Sequence, residues 1–317
     1  EPEEDEYDTD LESEQDVTDF DVSGRNLYLS ACKHYRIVPV SYFVRHMKES
    51  QLVMKNHGLS TLGVKAMALA LQSNTHVVNL DLESNWIGGT GGTYIAQMLK
   101  ENIYITELNL ANNNLRSVGC AQICDMLTYN TTLQILNLSG NKFTDADSVY
   151  FDEALSENRR LQYLNLSHNQ FGEKASKLLG HGVGENETLE ELDISWNYFR
   201  HRNAVEMCDQ IKNNAKLKKV NLSFNGLGYE GGVAVADIIK VNNVLQELDV
   251  SHNRIPEKAA ALISKNMESN EDLKVFRIGH NPIGVEGAKI MVKGISSENN
   301  RTEILDMTGV EVDKEFL

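Results

Sequence analysis

Long hydrophobic runs are missing from this chain. Nowhere do about 18 apolar residues follow one another, so no membrane-spanning helix is expected. The N-terminus also lacks the basic, apolar and small-residue succession of a signal peptide, so secretion is not expected. The chain does open on Glu1, not Met, and removal of an earlier leader is compatible with that. Cysteine is scarce: Cys32, Cys120, Cys124 and Cys208 form no C-x-x-C pair and no disulfide framework. Cys120 and Cys124 lie one helical turn apart, which suits small buried residues better than a metal or redox pair. Cations are absent from the first 24 residues, which hold 12 acidic ones and leave about −4 of the net charge of −16 for the rest. So acidic a segment cannot bury enough apolar surface to offset its ordering entropy, and residues 1–24 are expected to be a disordered acidic tail. A negative chain is poorly matched to phosphate backbones, so nucleic acid is not an expected partner. No Ser-His-Asp set, nucleophile elbow or Cys–His pair stands out, so neither an enzyme nor a cofactor is expected.

What the chain does have is repetition. The frame L-x-x-L-x-L-x-x-N-x-L recurs every 28 residues, placing Asn85, Asn113, Asn141, Asn169, Asn197, Asn225, Asn253 and Asn281 at one position. Leu133, Leu136, Leu138, Asn141 and Phe143 form one instance, and Leu161, Leu164, Leu166, Asn169 and Phe171 the next. The L-x-L core alternates as a short strand does. The second half changes period: after Asn225 come Leu227, Gly228, Gly231, Val235, Ala236, Ile238 and Ile239, the spacing of an amphipathic helix. One strand and one helix per unit predict an α/β solenoid, with a parallel inner sheet and outer helices. Each strand leaves unpaired backbone groups where it turns into its loop. An Asn there carries both donor and acceptor, so the eight asparagines are expected to form a structural ladder. The glycine run Gly88–Gly92 lacks the Lys and hydroxyl of a phosphate loop and is expected to be a loop-to-helix turn.

The pattern decays at both ends. Asn26–His34 and Val40–Met47 read as two short helices around Pro39, giving a helical cap over residues 25–49. The solenoid then spans 50–312, and 313–317 form the end. Leu52, Met54, His57 and Leu59 make a degenerate first unit with His57 in the Asn slot. Leu305, Met307 and Val312 make a shifted last one, with Val310 in that slot. Caps of this kind shield the open edges of a parallel sheet. Glycosylation sequons at Asn137, Asn165 and Asn221 fall inside predicted strands, where a glycan would obstruct the wall; a cytoplasmic location is therefore expected.

These residues resemble the ribonuclease-inhibitor-like class of leucine-rich repeats, over about residues 50–312. That class includes ribonuclease inhibitor, the Ran GTPase-activating protein and the sensor domains of NOD-like receptors, so the resemblance implies fold more than function. The run Tyr28-Leu-Ser-Ala-Cys32 with Ile37-Val-Pro-Val-Ser41-Tyr-Phe43 is similar to the cap of the leucine-rich-repeat-containing protein 74 family. More loosely, it is similar to that of the axonemal T-complex-associated testis-expressed protein. Those relatives imply an intracellular adaptor, with a cilium or axoneme as a further location.

Candidate contact residues follow from the strand columns. The column before the ladder Asn reads Ser84, Asn112, Gly140, His168, Trp196, Phe224, His252 and His280, ending in five rings at the edge of the inner wall. Exposed Trp is a leading contact residue at interfaces, so the five are candidates for binding a protein; the alternative is that they pack only on one another. Tyr163 and Ile135 extend the patch on a neighbouring column. Glu191, Asp193, Glu247 and Asp249, with Asp81, Glu83 and Glu107, make the wall acidic and favour a basic partner; Lys219 and Arg277 are exceptions. The alternative is that these are ordinary solubilising strand residues. His168, His252 and His280 raise the question of metal, but no Cys or carboxylate completes a ligand set at suitable spacing.

The function expected is a non-enzymatic scaffold, monomeric on its own, that binds a protein through its concave face and ring-lined rim. One alternative is a structural component of a ciliary or axonemal assembly. Another is a GTPase-activating protein similar to the Ran regulator, for which Arg116 is the obvious cation. In the tail, Thr9, Ser13 and Thr18 each precede an acidic residue by three positions, a context acidophilic kinases favour. The tail could also fold back onto Lys216, Lys218 and Lys219.

Overall fold

The computed structural model describes residues 21–313. The phosphorylation candidates Thr9, Ser13 and Thr18 lie outside the described residues, as do the rest of 1–20 and residues 314–317.

Ten three-residue strands form one parallel sheet in strict chain order, from Gln51–Val53 to Ile304–Asp306, and the sheet stays open. Register follows the repeat. Gln51 pairs with Asn79, Asn79 with Glu107 and Glu107 with Ile135, a shift of 28 residues each time. Only the last pairing, Val275 with Ile304, shifts by 29, because one extra residue enters the loop after the helix Gly284–Ile295. A helix follows each of the first nine strands and packs on the helices of the adjoining units, so the helices form the outer layer.

The wedge between the layers is apolar throughout. The central strand residue is buried in unit after unit: Leu80, Leu108, Leu136, Leu164, Leu192, Val220, Leu248 and Phe276. So is the residue two beyond the ladder Asn: Ile87, Leu115, Phe143, Phe171, Phe199, Leu227, Ile255 and Ile283. Each such side chain contributes about 1.5–3 kcal/mol when fully buried. A single unit cannot bury both positions alone, so the core exists only between neighbours.

Three local features depart from the sequence expectations. Residues 21–24, assigned above to the tail, are folded: Asp21 caps the first helix, Arg25–Tyr35, by accepting from the Asn26 N–H at 2.8 Å, and Ser23 is buried. The glycine run does not precede its helix but forms its first turn, Gly88–Glu101, with Gly88 at φ 69. A Cβ on Gly89 would come within 2.8 Å of Val118 in the next unit, so the run serves close helix packing. After Asn141 a 3-10 turn, Asp145–Asp147, opens a shortened helix, Ser148–Glu157. There Asp145 turns outward to cap the neighbouring helix, Glu173–Glu185, accepting from Gly172, Lys174 and Ala175 N–H groups at 2.8–2.9 Å.

Candidate functional site

The chain leaves each strand through a left-handed residue. Asn56, Ser84, Asn112, Gly140, His168, Trp196, Phe224, His252 and His280 all have φ between 53 and 66. The backbone N–H of each reaches the next unit; that of Trp196 donates to the Ser223 carbonyl at 3.0 Å and that of Phe224 to Ser251 at 3.1 Å. Just beyond, the ladder Asn is buried, and its side chain bonds the preceding unit and its own. Asn169 accepts from the Asn141 and Phe143 N–H groups at 3.1 and 3.0 Å, and its amide donates to the Leu166 carbonyl at 2.9 Å.

This geometry brings the five rings into one continuous stack. Centroid separations are 5.1 Å for His168–Trp196, 3.9 Å for Trp196–Phe224, 3.9 Å for Phe224–His252 and 4.1 Å for His252–His280, with interplanar angles of 13–15°. Parallel strands lie about 4.8 Å apart, so the sheet itself sets a spacing suited to stacking. Each inner ring has both faces covered, yet Trp196 is 47% exposed, which leaves its edge for solvent. A ring in the left-handed region costs about 1–2 kcal/mol per residue. A stacked pair recovers about 0.5–1.5 kcal/mol. Asn or Gly, as in the earlier units, would hold the same turn without that cost. Burial and the neighbouring His280 push the His252 imidazole below its ordinary pKa, with Asp249 opposing.

Tyr163, Glu191, Asp193, Glu247 and Asp249 gather on the concave wall, where with Lys219, Asn221 and Arg277 they line a shallow depression. Ile135 is paired with Tyr163 in the sheet but does not line it. The depression and the ring stack share no lining residue. The wall is less acidic than its carboxylates suggest. Lys219 bridges Glu191 at 2.9 Å and Glu247 at 3.7 Å, Arg277 approaches Glu247 at 3.6 Å, and Lys55 bridges Asp81 and Glu83 at 3.2 and 2.9 Å. Asp193 and Asp249 each use one oxygen to accept the N–H two residues on, closing the turn out of the strand.

Two features escaped the sequence reading. A second asparagine ladder, Asn74, Asn102, Asn130, Asn158, Asn186, Asn214, Asn242 and Asn270, keeps the same 28-residue step on the opposite edge of the sheet and is buried throughout. Asn158 donates to the Leu127 carbonyl at 2.7 Å and accepts from the Leu161 N–H at 2.8 Å, tying the end of one helix to the start of the next strand. The exact recurrence was the available signal. The other is Trp86, 80% exposed with φ 59, one position past the ladder Asn. Its column continues through Tyr198, Gly226 and Arg254, and Tyr198 carries the Arg200 guanidinium 4.9 Å above its ring. Among the described residues no group of three or more His, Cys, Asp or Glu is placed to hold a metal, and no helix is long and apolar enough to cross a membrane.

An open parallel sheet, one full helix per 28 residues and an asparagine ladder define a leucine-rich-repeat protein. The comparisons agree with that class. Residues 93–230 match the TMOD/LMOD leucine-rich domain family, and residues 73–96 and 241–256 match the leucine rich repeat family. Human leucine-rich repeat-containing protein 74B is 34% identical over 71 residues, which cover 22% of this chain and 18% of that protein's length. The leucine-rich repeat-containing protein LegL7 from Legionella pneumophila shares the fold at a TM-score of 0.56 and 20% identity, over 81% of this chain and 82% of its own. The structure titled Leiomodin-1 actin-binding site 2 is 25% identical over 44% of this chain and 82% of its own, with a TM-score of 0.35.

Proposed function

We propose that this chain is a non-enzymatic protein-interaction scaffold whose contact centre is the ring stack on the loop rim, flanked by the concave wall. The observation that carries this reading is the stack itself: five consecutive rings occupy left-handed positions that Asn or Gly fills more cheaply, and Trp196 stays half exposed. Rigid, partly exposed aromatic side chains are what interface centres are built from. On the wall, four carboxylates stand against Lys219 and Arg277, which favours a basic segment of the partner there.

The test compares proteins captured from the native cell type by the wild-type chain and by a Trp196→Ala/Phe224→Ala double variant. Loss of a specific partner with unchanged thermal unfolding supports the reading. Recovery of the same partners at equal yield would mean that the rings only pack on one another.

A further inference from the structure

Beside the stack lies a cleft lined by Trp196, Tyr198, Arg200, His201, Phe224 and Arg254, among others, and by no Asp or Glu. It opens at Gly226, which at φ 78 puts no side chain between Tyr198 and Arg254 in its column. Arg200 and Arg254 are exposed, and neither makes an ion pair among the described residues. His201 only approaches Glu230, at 3.8 Å. Arg200 is already held: its guanidinium lies 4.9 Å from the centre of the Tyr198 ring, so less side-chain freedom is lost when it takes a ligand. The rings add to the charge. Stacking at 3.9 Å covers their faces, so the cleft meets ring edges, the positive part of the aromatic quadrupole. Rim and wall are therefore opposite in character: the wall is acidic and partly paired, the rim cationic and unpaired.

We propose that this cleft binds an acidic, carboxylate-rich segment of the partner protein. The proposal names the partner's chemistry at the rim and rests on reading the rim as a contact surface. Guanidinium groups pair with carboxylates through two parallel N–H···O bonds, and Arg200 and Arg254 have no such partner within the chain. The molecule as a whole, at a net charge of −16, repels an acidic peptide, so attraction has to come from this local charge. Single-stranded nucleic acid fits the cleft less well. Proteins hold it by stacking bases on open ring faces, and here the faces of Phe224 are covered by Trp196 and His252. The wall would also repel a phosphate backbone. Asp193 precedes Trp196 by three residues, which puts wall and rim at most about 11 Å apart. The same spacing constrains the partner: an acidic stretch on the rim and a basic one on the wall must lie within about that distance. A partner of one uniform charge would gain at one surface and be repelled at the other.

The test titrates the full chain into a short fluorescein-labelled peptide rich in Glu, with Leu and Tyr interspersed, and reads anisotropy. The same peptide with every Glu replaced by Gln is the neutral control, and a labelled oligouridylate is the nucleic-acid control. The Glu peptide should bind and the Gln peptide should not. Affinity for the Glu peptide should fall at least about tenfold in Arg200→Glu/Arg254→Glu, and also in 1 M salt, where the Debye length shrinks to about 3 Å. Lys174→Glu/Lys177→Glu, on an outer helix, shifts the net charge equally and should leave affinity within about twofold. Thermal unfolding of both variants should match wild type. Equal binding of Glu and Gln peptides overturns the proposal, as does equal affinity in Arg200→Glu/Arg254→Glu or an equal loss in Lys174→Glu/Lys177→Glu. Tighter, arginine-dependent binding of the oligouridylate overturns it too. If Trp196→Ala/Phe224→Ala abolishes partner capture while peptide binding ignores the arginines, this inference fails and the proposed function stands. Arginine-dependent peptide binding with undiminished capture by that ring variant supports the cleft and removes the rings as contact centre.

Discussion

The side-chain amide of Asn74 donates to the carbonyl oxygen of Met47 at 2.7 Å and also to that of Ser23 at 2.8 Å. Its own oxygen accepts from the Val77 N–H at 2.8 Å. One buried side chain thus joins the segment before the first helix, the end of the second helix, Ser41–His46, and the repeat array. Every later rung of this ladder holds a helix end of the preceding unit; the first holds the cap.

Asn74→Ala leaves two carbonyls and two N–H groups without that partner, and is expected to lower stability by about 1–3 kcal/mol. The loss should be local at first. Hydrogen exchange of residues 25–47 should accelerate at temperatures where residues 160–280 remain protected, because repeats couple only to their neighbours. Asn169→Ala, in the middle of the other ladder, should destabilise by a similar amount but open both sides of the array. Equal protection of the cap in wild type and Asn74→Ala would show that the cap is held by its apolar contacts alone.

The period made the sheet order and the register legible, since a strict 28-residue step admits one parallel pairing. The first ladder was legible for the same reason, because Asn at a strand exit has unpaired backbone on both sides. The second ladder was equally periodic, yet it stands between motifs, where an Asn reads as an ordinary loop residue. The five rings could be found as a column, but their face-to-face stacking depends on the left-handed exit residue, which no residue type there announces: Trp and Phe seldom adopt it. The pairing of the wall's charges was less legible. A charge count singles out Lys219 as an exception but does not show that it sits between Glu191 and Glu247 on adjacent strands.

Phe224→Asn should separate stability from contact. Asn relieves about 1–2 kcal/mol of left-handed strain. It gives up two stacked contacts of about 0.5–1.5 kcal/mol each, and part of the buried ring surface. Net destabilisation by denaturant titration should therefore be small, about 1 kcal/mol. A loss above about 3 kcal/mol would mean that the stack is mainly a structural spine.

The cysteines should be inert in the folded chain. Burial pushes the Cys208 thiol up to about 12 and raises Cys120 well above its ordinary value, with Cys124 adding to the latter effect. Thiolate is the reactive form, so a thiol-specific reagent at pH 8 should label none of the four within the time that denatured chain is labelled at all four. Rapid labelling of Cys120 or Cys124 in native protein would point to local opening of the helix Arg116–Tyr129.

His252 should make the stack sensitive to acid. Its folded-state pKa lies below the ordinary 6.5, first through burial and then through His280. Between the two values the unfolded chain binds more protons than the folded one, so stability rises with pH across that window. Stability present at pH 7.5 is therefore lost as pH falls through 6.5 toward the folded value. His181 has the opposite sign: its hydrogen bond to Asp152, 2.7 Å long, raises its pKa, so its contribution is full below 6.5 and fades as pH rises. In a His252→Phe variant, which keeps a ring in the stack, the drop in Tm between pH 7.5 and 5.5 should be smaller than in wild type. In His181→Phe, where a stabilising acid-side contribution is removed, the drop should be larger. An identical drop in wild type and His252→Phe would show that the imidazole is free to charge without disturbing its neighbours.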